Sequence, residues 1–75
     1  MRTHLEYDTT SQRWHLNGWE FHCGDCFQVK DPHNETWFDV RIELSGPGGG
    51  EWYLVGLPTN LQNRQLWNFE ARRYP

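Results

Sequence analysis

The sequence predicts an all-β fold, a small single-domain antiparallel barrel of SH3-like or related type over residues 1–75. Three observations support this class. Asn17-Gly18 is a hairpin turn signal. Residues 36–44, TWFDVRIEL, alternate apolar and polar side chains with the two-residue period of a strand. Similar short runs are separated by turn-forming residues roughly every 8–12 positions, as in small barrels and sandwiches.

The first strands lie on either side of the turn at Asn17-Gly18. HLEY (4–7) alternates and predicts an opening strand, which the polar turn DTTSQ separates from the hairpin. A type I′ turn has positive φ at both central residues, and its two-residue loop fixes the register of the strands it joins. The predicted pairs are Leu16 with Trp19, His15 with Glu20, and Trp14 with Phe21. One face then carries Trp14, Leu16, Trp19 and Phe21, and the other carries Arg13, His15, Glu20 and His22.

The middle of the chain predicts three further strands. CFQVK (26–30) alternates, and the loop DPHNE (31–35) separates it from 36–44. In that longest strand, Phe38, Val40, Ile42 and Leu44 share one face, and Trp37, Asp39, Arg41 and Glu43 share the other. SGPGGG (45–50) predicts a flexible connection. EWYLVGLP (51–58) is apolar on both faces, which predicts a central strand that ends at Pro58.

The C-terminal segment leaves two alternatives open. TNLQNRQ (59–65) fits one helical turn or an irregular loop. In LWNFEARRYP (66–75), apolar residues alternate with polar ones and favour a last strand, although its Leu, Glu, Ala and Arg content also permits a short helix.

Composition sets the class of protein and of partner. Five Trp, four Phe and three Tyr supply apolar area that a chain of 75 residues otherwise lacks. No apolar run is long enough to span a bilayer, and MRTHLEYDTT lacks the apolar core of a signal peptide, so we expect a cytoplasmic protein. The net charge of −3 disfavours non-specific binding to nucleic acid or membranes, which requires a basic surface.

The stretch HCGDC (22–26) allows a zinc site, a redox dithiol or a turn. A structural zinc site needs four ligands, and beyond Cys23 and Cys26 only weak candidates such as His22 and His33 are available. A redox dithiol normally opens a helix, whereas this one lies among strands. We therefore predict a turn without a cofactor. In that turn Gly24 provides conformational freedom, Asp25 bonds backbone N–H groups two residues on, and the reduced thiols pack as small apolar groups.

Three motifs together resemble a family of small uncharacterised proteins from Gram-positive bacteria, their phages and mobile elements. They are Cys23-Gly24-Asp25, Trp37 with Arg41-Ile42-Glu43, and Trp52-Tyr53-Leu54, and the similarity spans residues 13–58. The resemblance implies a compact β-barrel and a mobile-element context, and it transfers no catalytic residues. A phage-side inhibitor of host defence, such as an anti-CRISPR, is the specific role that it suggests.

The residues themselves favour binding over catalysis. Asp39 and Glu43 would lie about 13 Å apart along one strand, too far for a retaining glycosidase pair, so we predict that the protein is not an enzyme. A barrel of this size cannot bury twelve aromatic rings, and exposed aromatics beside arginine are typical of protein interfaces. The predicted binding residues are Trp37, Asp39, Arg41, Glu43, Trp52 and Tyr53. Another protein is the favoured partner, with base stacking on nucleic acid as the alternative. A purely structural role, in which Trp37 covers a barrel end or packs under the tail, stays open.

The incomplete ligand set around HCGDC generates a first prediction. We expect purified protein to contain no stoichiometric zinc, and its melting temperature to be the same with and without a chelator, because Cys23 and Cys26 lack two further ligands. Elemental analysis and thermal melting measure this. One tightly bound zinc ion per chain would contradict the turn interpretation.

Overall fold

A computed structural model describes residues 3–46 and 50–74. In those residues the strands are β1 (Glu6–Asp8), β2 (Arg13–Leu16), β3 (Trp19–Glu20), β4 (Cys26–Lys30), β5 (Trp37–Leu44), β6 (Trp52–Val55) and β7 (Ala71–Arg72). Two single-turn 3₁₀ helices, Thr59–Leu61 and Leu66–Asn68, precede β7. The predicted all-β class is confirmed. The predicted connection at 45–50 lies partly outside the described residues.

The strands form two antiparallel sheets, with the orders β1-β2-β3 and β6-β5-β4-β7. The N-terminal segment links them through an isolated bridge between His4 and Glu70. Next to this bridge, the Ala71 N–H donates to the Thr3 carbonyl at 2.8 Å and the Leu5 N–H to the Phe69 carbonyl at 3.3 Å. The sheets are thereby joined along one side by backbone hydrogen bonds.

One hydrophobic cluster holds the two sheets together. Phe21, from the segment after β3, stacks on Phe27 of β4 with ring centroids 4.3 Å apart. The buried apolar residues are Leu5, Leu16, Phe21, Phe27, Val29, Val40, Ile42, Leu61, Phe69 and Ala71. These side chains come from both sheets, from the first 3₁₀ helix and from the segments that carry Leu5, Phe21 and Phe69. The buried rings are all phenylalanines.

The hairpin at Asn17-Gly18 has the predicted turn and register. Both turn residues have positive φ, 48° and 83° respectively, as a type I′ turn requires. The register pairs are His15 with Glu20 and Leu16 with Trp19. The Phe21 N–H extends the pattern by donating to the Trp14 carbonyl at 2.9 Å. The Asn17-Gly18 turn signal alone was therefore sufficient to predict how these residues pair.

The prediction that 51–58 forms a central strand is wrong. The strand is shorter, Trp52–Val55, and lies at the edge of the four-stranded sheet. Trp52 and Leu54 pack against the core, whereas Tyr53 and Val55 stay exposed on the opposite side. Apolar residues on both faces indicated burial on both faces, yet here the second apolar face lies on the protein surface.

Both alternatives for the C-terminal segment contribute to the structure. Leu66–Asn68 is a 3₁₀ turn, and only Ala71–Arg72 adds a strand, paired with Gln28 and Val29 of β4. Phe69 and Ala71 are buried, which fixes the direction of the tail across the sheet. Among the described residues, no helix has the length and apolar character needed to cross a bilayer.

The positive φ values at the hairpin generate a second prediction. Gly18→Val should lower the free energy of unfolding by about 1–3 kcal/mol, because a β-branched residue resists φ near 83°. Asn17→Gly should have a small effect, since glycine reaches positive φ readily. Urea unfolding of the two variants measures the difference. Equal stability of both variants would contradict the turn assignment.

Candidate functional site

The four-stranded sheet has one side on the core and one side in solvent, and we call the solvent side the outer face. Residues paired directly across antiparallel strands point to the same face. The register therefore sets four rows of side chains across the outer face. They are Tyr53–Glu43, Val55–Arg41–Cys26, Asp39–Gln28–Arg72 and Trp37–Lys30.

Five of the six predicted binding residues share this outer face. Trp37, Asp39, Arg41 and Glu43 come from β5, and Tyr53 comes from β6. Trp52 does not belong with them. Its ring packs against the core, and its indole N–H donates to the Gln12 carbonyl at 3.2 Å. Adjacent strand residues point to opposite faces, so Trp52 and Tyr53 cannot both lie on one surface.

The apolar part of the outer face lies at its β6 edge. Tyr53 and Val55 are 45% and 38% exposed. Beside them, the Arg41 Nε lies 2.7 Å from a Glu43 carboxylate oxygen, and this ion pair is partly open to solvent. This corner therefore presents apolar area next to one positive and one negative group.

A polar ladder crosses the middle of the outer face. The Gln28 side-chain amide donates to Asp39 at 2.8 Å, and the Arg72 Nε donates to the Gln28 side-chain oxygen at 2.7 Å. Partial desolvation and a hydrogen bond to Asp39 raise the pKa of the Tyr74 phenol above its usual value of 10.0. The ladder thus attaches the C-terminal residues to β4 and β5.

Trp37 is half-buried, and two cations lie over its ring. The Arg72 guanidinium carbon lies 4.1 Å from the ring centroid, and the Lys30 ammonium lies 6.0 Å away. Because Arg72 belongs to β7, Trp37 packs under the tail, as in the structural alternative given above. Trp37 is consequently less available as a contact residue than Tyr53.

HCGDC forms the predicted turn with different side-chain contacts. Gly24 has φ near 89°, and its N–H donates to the Ile42 carbonyl at 2.8 Å. Asp25 accepts a bond from the His22 N–H at 2.7 Å, three residues back instead of two residues on. Cys23 and Cys26 are exposed free thiols, so the prediction that they pack as small apolar groups is wrong. The turn is held by the backbone of Gly24 and the carboxylate of Asp25. The two thiols take no part in it and lie outside the core.

Histidines and carboxylates gather on the outer side of the β1-β2-β3 sheet. Glu20 lies 3.6 Å from His15 and 3.0 Å from His22, and His15 also approaches Asp8 at 3.8 Å. The Thr10 N–H, bonded to Asp8 at 2.8 Å, lowers the pKa of that carboxyl below its usual 3.8. Within residues 3–46 and 50–74, no three His, Cys, Asp or Glu side chains are arranged to hold a metal ion, His33 included.

Sequence reasoning did not identify the contribution of the tail arginines. The Arg73 guanidinium carbon lies 3.5 Å from the ring centroid of Trp19, and Arg72 covers Trp37. The only signal was the pair Arg72-Arg73 in a chain rich in tryptophan. The position at which β7 joins the sheet decides which rings the two arginines contact. The residues near Arg72 and Arg73 in the sequence do not determine that position.

Comparisons with known proteins give one family model and one similar solved structure. The family model described as Domain of unknown function (DUF5348) matches residues 3–72. The crystal structure of a protein from Ruminococcus gnavus, a structural genomics target, is similar with a TM-score of 0.67 and 34% sequence identity. That alignment covers 96% of this chain and 99% of the other. No curated protein gives a significant match.

The contact between Tyr74 and Asp39 generates a third prediction. One of the three tyrosines should titrate above pH 10, because desolvation and the bond to Asp39 favour the neutral phenol. The raised pKa means that this contact stabilises the fold fully below pH 10 and ceases to do so as pH rises through the folded-state pKa. Absorbance of tyrosinate during alkaline titration measures the shift.

Two variants assign that signal. Tyr74→Phe should remove the late-titrating phenol, and Asp39→Asn should return its pKa towards the usual value by removing the negative charge. A titration curve that is unchanged by Asp39→Asn would show that the tail does not dock on the sheet in this way.

Proposed function

The chain belongs to the DUF5348 family, a domain of unknown function, and we propose that it is a non-catalytic module that binds another protein through the outer face. The observation that supports this proposal is the exposed corner of Tyr53 and Val55 beside the Arg41–Glu43 pair. Aromatic residues and arginine are enriched at the centres of protein interfaces. A rigid sheet holds these groups in place before binding, which limits the entropy lost on association.

The edge position of β6 adds a second favourable feature. An edge strand presents unpaired backbone N–H and C=O groups, and Trp52–Val55 contains neither a charged residue nor proline that would discourage pairing. A partner strand added along β6 would also contact Tyr53 and Val55, which point to the outer face. Backbone pairing would then supply affinity, and the exposed side chains would supply selectivity.

Charge favours a protein partner over nucleic acid. The outer face contains Asp39 and Glu43 as well as Lys30, Arg41 and Arg72, and the chain carries a net charge of −3. A phosphate backbone would meet both carboxylates, whereas a protein surface can match positive and negative groups one by one.

The resemblance to proteins of phages and mobile elements extends the proposal. In this extension the protein is a cytoplasmic, SH3-like barrel whose partner is a component of host defence, with anti-CRISPR activity as one form of the role. Genes next to the coding sequence test this extension directly. A neighbourhood of phage or mobile-element genes is expected, and a neighbourhood of housekeeping genes would contradict it.

A fourth prediction tests the binding surface. Tyr53→Ala and Arg41→Ala should each weaken binding to the partner by about 1–3 kcal/mol, the range of interface hot spots. Both side chains are exposed and lie outside the core cluster, so the melting temperature should stay close to that of the wild type. The partner is identified by capture from host lysate, and dissociation constants are then measured with the purified pair.

Trp67→Ala is the matched control, because Trp67 is 58% exposed and lies in a 3₁₀ turn, outside the strands that form the outer face. It should leave affinity unchanged. Equal losses with Trp67→Ala and Tyr53→Ala would contradict a specific surface. Tight binding of single-stranded oligonucleotides that weakens steeply with salt would favour the nucleic-acid alternative instead.

A further inference from the structure

A cleft of about 350 Å³ separates the β2–β3 hairpin from β7. Its lining includes the rings of Trp19 and Trp37, and Leu16 and Ala71 add apolar area. Arg72 and Arg73 line the same cleft. Aromatic walls and two guanidinium groups therefore meet in one concave site, which we call the tail cleft.

Each guanidinium in the tail cleft is stacked on an indole ring. Arg73 lies 3.5 Å from the Trp19 ring centroid, and Arg72 lies 4.1 Å from that of Trp37. Stacking uses the flat face of a guanidinium and leaves its N–H donors at the edge. The Arg72 Nε–H donates to the Gln28 side-chain oxygen, which restrains the guanidinium group. The terminal N–H groups of Arg72 are left for another acceptor. These are features of a preorganised anion site.

Within residues 3–46 and 50–74, no carboxylate neutralises either charge. In the described part of the chain, the arginines and the lysine in ion pairs are Arg13, Arg41 and Lys30, and neither Arg72 nor Arg73 has a carboxylate within ion-pair distance. Glu70 also lines the tail cleft, but its partner is Lys30 at 3.7 Å. In a chain with a net charge of −3, these adjacent unpaired cations form a local positive patch.

We propose that the tail cleft binds an acidic peptide segment that also carries an aromatic side chain. The peptide's carboxylates accept N–H donors from Arg72 and Arg73, in the forked geometry that guanidinium and carboxylate groups share. Its ring enters the tail cleft next to Trp19 and Trp37, where aromatic contacts add to the burial of apolar area. This site rests on the proposed function, because its ligand is part of a protein. It adds a second contact region, which shares Trp37 and Arg72 with the outer face.

The surrounding charges favour a peptide over nucleic acid. Glu70 lies in the wall of the tail cleft, and Asp39 lies one residue beyond Gln28 in the ladder that holds Arg72. A nucleic acid carries a negative charge at every nucleotide and would place phosphates near these carboxylates. A peptide with two or three acidic residues can place its charges on the arginines alone.

Fluorescence anisotropy with a labelled peptide of alternating Glu and Phe tests the site. Arg72→Gln and Arg73→Gln should each weaken binding about tenfold or more, because each removes a charge-assisted hydrogen bond. Arg73→Lys should weaken it less than Arg73→Gln, since the charge stays while the planar fork is lost. The same peptide with Gln in place of Glu should bind about as weakly as the glutamine variants.

Arg13→Gln is the matched control, because it removes the same charge at a residue that lies outside both the outer face and the tail cleft. It should leave peptide affinity within about twofold of the wild type. Equal losses with Arg13→Gln and Arg73→Gln would overturn the site in favour of non-specific charge attraction. Failure of the wild type to bind the Glu–Phe peptide at millimolar concentration would overturn it as well. Tighter binding of a single-stranded oligonucleotide than of the peptide would overturn the assignment to an acidic protein segment.

The proposed function and the tail cleft can fail separately. If Tyr53→Ala weakens partner binding while Arg73→Gln has no effect on partner or peptide, the outer face stands and the tail cleft is wrong. If the peptide binds as expected and Tyr53→Ala leaves partner affinity unchanged, the tail cleft stands and the outer-face proposal is wrong. Circular dichroism melting of each variant confirms that the loss is one of binding and not of folding.

Discussion

The antiparallel pairing of β4 with β5 is the interaction on which the other elements depend. Five residue pairs, from Cys26–Arg41 to Lys30–Trp37, set the register of the four-stranded sheet. This pairing directs Phe27, Val29, Val40 and Ile42 into the core and their neighbours to the outer face. β6 then pairs with β5 and β7 with β4, and the Gly24–Asp25 turn bonds to Ile42. A one-residue slip of β4 against β5 would move the core side chains of the slipped strand to the outer face.

That register also explains how an acidic chain keeps a local positive patch. Gln28 is opposite Asp39 on one side and Arg72 on the other, so its amide bonds to both while keeping them apart. Asp39 thereby accepts a hydrogen bond from the Gln28 amide, and its carboxylate does not neutralise the charge of Arg72. Trp37, one row along the sheet, offers its ring to the same arginine. A neutral residue in the middle of the ladder is what leaves the cation available for a ligand.

Features determined by nearby residues could be predicted from the sequence. Asn17-Gly18 defined the hairpin and its register, and strict alternation in 36–44 separated the core side of β5 from its outer side. Features that depend on distant partners could not. Whether β6 lies at the edge is decided by which strands pair with β5, and the apolar residues Tyr53 and Val55 gave no indication of it. Arg72 meets Gln28 across 44 positions in the chain, so its stacking on Trp37 had no local signal.

The uncharged edge strand β6 has a consequence for how the protein behaves when it is alone and abundant. Trp52–Val55 offers neighbouring molecules an open row of backbone donors and acceptors, flanked by apolar side chains. Such edges promote sheet extension between copies during overproduction and concentration. A partner that covers β6 would then act as a solubiliser as well as a target, so the yield of soluble protein would rise with the partner's abundance in the same cell.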